Sequence, residues 1–201
     1  MTKEISIKEF TSELQRTINK DASSLKNSKR VLSKTELSEV AKGFLDLIVE
    51  GTWIQREDRK IDVQGKVKAS ENSMLHLFMG KEIFFGNVTG SFSCYKTNIT
   101  SLKGAPKVVG GDFYCNATNI TSLKGAPGKV GGNFDCTHTN VISLTGSPEK
   151  VGGNFWCTLM DIPSLEGSPK VVGGDFYCYG TNIPSLDGIG EVKGHIYSDL
   201  K

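Results

Sequence analysis

The sequence predicts an α+β chain built chiefly as a parallel β-solenoid, and three observations carry that reading. Phe92, Phe113, Phe134, Phe155 and Phe176 stand 21 residues apart without exception, and self-similarity at such a period is the signature of stacked repeats. Glycine supplies 23 of the 201 residues yet recurs at fixed places, which marks regular turns instead of a flexible tract. In the first sixty residues the long period gives way to the 3.6-residue spacing of amphipathic helices.

One unit can be read in order of residue type. Cys94, Cys115, Cys136, Cys157 and Cys178 follow each Phe by two residues, so Phe and Cys share one face of a short strand, and that face is the core. Asn98, Asn119, Asn140, Asp161 and Asn182 come four residues later; their side chains are expected to satisfy backbone groups at a bend and to stack as a ladder. Ile99, Ile120, Val141, Ile162 and Ile183, then Leu102, Leu123, Leu144, Leu165 and Leu186, point back inward. Pro106, Pro127, Pro148 and Pro169 block helix propagation before Val109, Val130, Val151 and Val172. The Gly-Gly pair ahead of the next Phe is expected to turn with positive φ. A single coil cannot bury its own edge, so neighbours must stack about 4.8 Å apart.

Both ends of the array depart from the pattern. Val63-Gln-Gly-Lys-Val67-Lys-Ala69 reproduces Val88-Thr-Gly-Ser-Phe92-Ser-Cys94 with smaller residues, which makes 61–85 a degenerate first rung carrying an insertion over Glu71 to Lys81, ahead of full repeats over 86–201. At the far end Ile196 arrives one residue early, and Ser198 stands where cysteine would be.

Residues 1–60 form a separate helical element in this reading, with the solenoid occupying 61–201. A first helix has a capping box at Ser6-x-x-Glu9 and a stripe of Ile7, Phe10, Leu14 and Ile18. A second box, Ser33-x-x-Glu36, opens a helix whose stripe is Leu37, Val40, Ala41, Phe44, Leu47 and Ile48, with Gly51 as its stop. Two such helices are too little for a core of their own; they cap the first rung, pair with a second copy as a homo-oligomer, or dock on a partner.

The chemistry-bearing residues point away from catalysis. A formal charge of +2 lacks the excess of a general phosphate binder. The cysteines occupy one inward position per rung, where thiols act as small apolar groups in a reducing compartment; zinc would need close Cys or His spacing. His76, His138 and His195 share no motif, and no lysine with Ser or Thr follows the Gly-Gly pairs to make a phosphate cradle. No apolar run approaches the ~18 residues that span a bilayer. Neither metal nor cofactor is expected, and the chain reads as a non-enzymatic cytoplasmic protein.

The stretch Thr97-Asn-Ile-Thr-Ser-Leu-Lys-Gly-Ala-Pro-Lys-Val-Val-Gly-Gly-Asp-Phe-Tyr-Cys115 resembles the leucine-rich-repeat-like arrays of bacteriophage and prophage proteins, over residues 86–201. Phe and Cys stand where the wider leucine-rich-repeat family places Leu. The resemblance implies a protein-binding solenoid encoded by a phage and names no partner; the expectation built on it by analogy is a host protein, such as a defence factor, bound and inhibited in the host cytoplasm.

Residue alternation then selects the outward strand face as the candidate site. Tyr114, Asp135, Trp156 and Tyr177 lie between Phe and Cys, with Tyr197 continuing the column; Asp112, Asn154 and Asp175 precede Phe, and Tyr95 and Tyr179 follow Cys. Exposed Tyr and Trp beside polar groups have the makeup of interface hot spots. Leu159 and Met160 interrupt the local pattern and are candidates for an extra apolar contact. Two further functions stay open: nucleotide or nucleic-acid binding through the same aromatics, which the acidic residues oppose, or through the basic linker of Lys26, Lys29, Arg30 and Lys34, and a structural or assembly role through oligomerisation of the N-terminal helices.

Overall fold

The computed structural model describes residues 37–200. The described residues open with a helix, α1 (Glu39–Ile48), which passes without a break into strand β1 (Val49–Gln55). A hairpin returns the chain as β2 (Ile61–Lys68), antiparallel to β1 with Val49 opposite Val67 and Gln55 opposite Ile61. A one-turn helix, α2 (Leu75–Phe78), falls inside the expected insertion. The remaining strands come in pairs, two per coil: β3 (Phe85–Val88) and β4 (Phe92–Ser93), β5 (Val108–Val109) and β6 (Phe113–Tyr114), β7 (Lys129–Val130) and β8 (Phe134–Asp135), β9 (Lys150–Val151) and β10 (Phe155–Trp156), β11 (Val171–Val172) and β12 (Phe176–Tyr177), β13 (Glu191–Val192) and β14 (Ile196–Tyr197).

Strand β2 is the template for everything after it. Its first half pairs in parallel with β3, its second half with β4. Two parallel ladders grow from there: the valine strands β3-β5-β7-β9-β11-β13 and the phenylalanine strands β4-β6-β8-β10-β12-β14. Val67 lies opposite Phe92, and Val63 opposite Val88, so the degenerate first rung is in the register its sequence implies. At the other end Phe176 faces Ile196, which accommodates the shortened last repeat.

The interior is made of columns. Phe92, Phe113, Phe134 and Phe155 stack with centroids 5.3–5.4 Å apart and nearly parallel rings, and Phe176 continues the stack. Every inward Phe, Cys, Ile/Val, Leu and Val from rung to rung is buried up to Ile183. Each buried Phe contributes roughly 1.5–3 kcal/mol of transfer free energy. The α1 stripe joins the same core with one correction, since Leu47 is 51% exposed and Leu45 is buried in its place: Ala41, Phe44, Leu45 and Ile48 are buried, and the Phe44 ring stacks on Phe78 at 4.8 Å.

Several expectations are corrected. The α1 cap is Ser38, whose Oγ accepts from Ala41 N–H at 3.1 Å; the first helix and the Ser33-x-x-Glu36 box lie outside the described residues. Gly51 does not stop the helix. It sits within β1 opposite Gly65, and a Cβ at either would meet a cross-strand carbonyl oxygen at 2.2 Å. The Gly-Gly pairs, unlike Gly51 and Gly65, avoid positive φ, and their role is close approach: a Cβ on Gly131 would lie 2.1 Å from the Gly110 oxygen. Positive φ falls instead on the glycine two residues after each inward Leu, Gly104 at 86° and Gly125 at 97° for example.

The expected asparagine ladder does not form. Asn98, Asn119, Asn140, Asp161 and Asn182 are exposed, with one side-chain bond among them, from Asn182 to Asp161. The bend after each Cys is held by the residue before the Asn. Thr97, Thr118, Thr139 and Thr181 donate Oγ1–H to the carbonyls of Cys94, Cys115, Cys136 and Cys178 at 2.6–2.9 Å. A short hydroxyl on a rigid β-branched stem reaches its own turn, whereas the longer amide projects outward.

Candidate functional site

The aromatic column forms as one continuous surface at its C-terminal half. Parallel in-register pairing sets Tyr114, Asp135, Trp156, Tyr177 and Tyr197 one above another on the outer face of the phenylalanine ladder. Trp156 stacks on Tyr177 at 5.4 Å and 13°, and Tyr177 on Tyr197 at 4.6 Å and 5°. Tyr114 stands apart, because Asp135 occupies the rung between it and Trp156. Tyr197 is 44% exposed and Tyr177 half-buried, so the stack presents edges and one open face to solvent.

Asp135 takes its character from its neighbours. Burial beside the aromatics raises its carboxyl pKa, against the opposing effect of a hydrogen bond from Thr137 N–H at 2.9 Å. The same burial raises the Tyr114 phenol, with the Asp112 carboxylate adding to it. Tyr177 donates its hydroxyl to Asp175 Oδ2 at 3.2 Å.

The polar residues ahead of each Phe belong to the scaffold. Oδ1 of Asp112 accepts from Asn133 N–H one rung on at 2.8 Å, and the relation repeats from Asn133 to Asn154, from Asn154 to Asp175 and from Asp175 to His195. Ser91 starts this ladder by accepting from Asp112 N–H. Asp112, Asn154 and Asp175 thus each commit one side-chain oxygen to holding neighbouring coils together, which alternation in the sequence did not reveal.

The remaining candidates divide. Tyr95 and Tyr179 are exposed at opposite ends of their column, with the Lys96 ammonium 5.3 Å from the Tyr95 ring centroid. Leu159 is exposed and takes φ 53°, as do Lys96, Ala117 and His138 at the equivalent positions, near 54°. Met160 is not a surface contact. It replaces the bend threonine, and its side chain is only 3% exposed.

The five thiols are unpaired and buried, and four of them donate to the carbonyl of the next rung at 3.3–3.4 Å. Burial pushes them up as acids, Cys94 to about 12 and Cys178 to about 11. Among the described residues no group of three or more His, Cys, Asp or Glu is placed to hold a metal ion, and no helix is long and apolar enough to cross a membrane. A concavity missed in the sequence runs along the turns after Leu102 and Leu123. It encloses about 940 Å³ over Ala105, Pro106 and Ala126 and is edged by Lys60, Lys103, Lys107 and Lys124. Its only signal in the sequence was lysine one residue after Leu in the first two repeats.

Fold and surface together define the class: a parallel β-solenoid whose inward columns are held constant while its outward columns vary. Comparisons with protein-family models, curated proteins and solved structures return no match.

Proposed function

We propose that the chain is a non-enzymatic protein-binding module that engages its partner through the outward face of the phenylalanine strands. The observation that carries this reading is the Trp156–Tyr177–Tyr197 stack, a preformed aromatic ridge whose first two rings stand on strands paired on both sides and whose third stands on the edge strand β14. Rigid aromatics add contact area with little loss of rotamer freedom, which favours association. The carboxyl groups of Asp135 and Asp175 border the ridge, with Asp112 further along the same face, and favour a partner with basic groups; they oppose a phosphate backbone. On the resemblance to phage arrays, the partner is a bacterial host protein, and binding blocks it in the host cytoplasm.

The test is retention of a host protein from bacterial lysate on immobilised chain, followed by titration of the purified partner. Trp156→Ala/Tyr177→Ala should weaken binding at least a hundredfold while leaving circular dichroism unchanged. Equal affinity of the intact and doubly substituted chains would refute the reading, and so would recovery of nucleic acid alone.

A further inference from the structure

A different side of each coil carries a pattern that the aromatic face does not use. One residue after each inward Leu, the chain places Lys103, Lys124, Thr145, Glu166 and Asp187, all exposed and one rung apart. The column runs from two cations through a neutral residue to two anions. A parallel column lies beside it: Thr100, Thr121, Ile142, Pro163 and Pro184, two residues before each Leu. The two columns border one surface, since Thr100, Thr121, Lys103 and Lys124 line the same groove. Its apolar residue at the middle rung, Ile142, is 64% exposed.

Such an order is antisymmetric about Thr145. Two copies meeting side by side with parallel axes would set Lys103 against Lys103 and Asp187 against Asp187. With antiparallel axes the same surfaces set Lys103 against Asp187, Lys124 against Glu166, and Ile142 and Thr145 against their own counterparts at a two-fold axis. Both copies share one rung spacing, so the register holds along the contact. An apolar centre with charged residues toward the edge is the usual anatomy of an interface. Among the described residues none of these four charged groups has an ion-pair partner within its own chain.

We infer that this face binds a second copy of the chain, forming an antiparallel two-fold dimer centred on Ile142 and Thr145. The inference is independent of the aromatic ridge, which stays available on another side of each protomer.

Sedimentation equilibrium on the full chain tests it by charge swapping. The intact protein should show twice its 21.8 kDa mass and dissociate as salt is raised. Lys103→Glu/Lys124→Glu makes the column wholly acidic, and Glu166→Lys/Asp187→Lys makes it wholly basic; each variant alone should be monomeric. Mixing the two should restore a dimer containing one of each. Ile142→Ser should raise the dissociation constant at least tenfold. A monomer at every concentration would overturn the inference, as would a dimer indifferent to both reversals. So would a monomer that uses Lys103 and Lys124 to hold an acidic partner of another kind. These surface substitutions leave the buried columns intact, and circular dichroism of each variant checks that.

Discussion

A thiol at a core position is bland at neutral pH and a liability in alkali. Cys94 has its pKa pushed by burial to about 12, above the ordinary value of 9.0, and the other four are displaced the same way. The folded chain therefore holds protons that the unfolded chain releases, so the stabilising contribution is complete below pH 9 and declines as pH rises toward 12. Each buried thiol can remove up to about 1.4 kcal/mol per pH unit across that window. The urea midpoint should thus fall steeply between pH 9 and 11, and less steeply in Cys94→Ala/Cys136→Ala; identical slopes would assign the loss to other groups. Asp135 carries the same consequence in the carboxylate range. Its raised carboxyl pKa means that stability declines as pH climbs through the folded value. Asp135→Asn keeps an acceptor for Thr137 N–H and removes the buried charge, so it should raise the thermal midpoint at pH 7 and leave it little changed near pH 3. A lower midpoint at pH 7 would show that the carboxylate is stabilising where it stands.

At the scale of a strand pair, the corner between the valine and phenylalanine strands decides how closely coils stack. Gly131 faces the Gly110 oxygen, and Gly152 faces that of Gly131, each with room for no side chain. Gly131→Ala should cost more than about 2 kcal/mol, because backbone in the sheet must move. Gly128 has its nearest prospective contact at 3.9 Å and no positive φ. There Ala should be tolerated and gain up to about 1 kcal/mol by restricting the unfolded chain. Urea titrations of the two variants provide the check; equal effects would contradict the assigned role of the corner. This pair also shows how far the sequence could be read. The period, the inward columns and the rung register followed from residue type, because burial acts on every repeat alike. The role of Gly-Gly did not, because positive φ and close approach both select glycine and leave one sequence signature. For the same reason Thr and Asn, adjacent polar residues at one bend, could not be ranked without knowing which side chain the backbone aims inward. The hairpin of β1 and β2 was missed because Gly51 reads as a helix stop, whereas it is a cross-strand glycine inside β1. On the aromatic face, alternation found the column and its order. It could not separate the ridge of Trp156, Tyr177 and Tyr197 from the aspartates that pin the coils.

At the scale of the whole molecule, stability in a stack of coils is a chain of nearest-neighbour contacts, so the two ends set how it opens. The first rung is sealed: β1 covers the free edge of β2, and α1 lays Phe44 on Phe78 while Trp53 Nε1–H donates to Asp46 at 2.8 Å. Toward the other end burial fades, with Ile189 and Val192 only partly covered and Ile196 and Tyr197 exposed. Opening should therefore proceed from the last rung inward, and amide exchange should be fastest at β13 and β14 and slowest through β2 to β8. Phe44→Ala, with a cost of about 3–5 kcal/mol, should change the order as well as the total. Loss of the ring loosens the seal, so protection at β2, β3 and β4 should fall toward the level of β13 and β14 while the central strands stay slowest. Hydrogen exchange followed by mass spectrometry on the intact and substituted chains distinguishes this from all-or-none unfolding. Uniform loss of protection in every rung would mean that the solenoid is too cooperative for its ends to act separately, and that α1 stabilises the stack as a whole instead of closing its first rung.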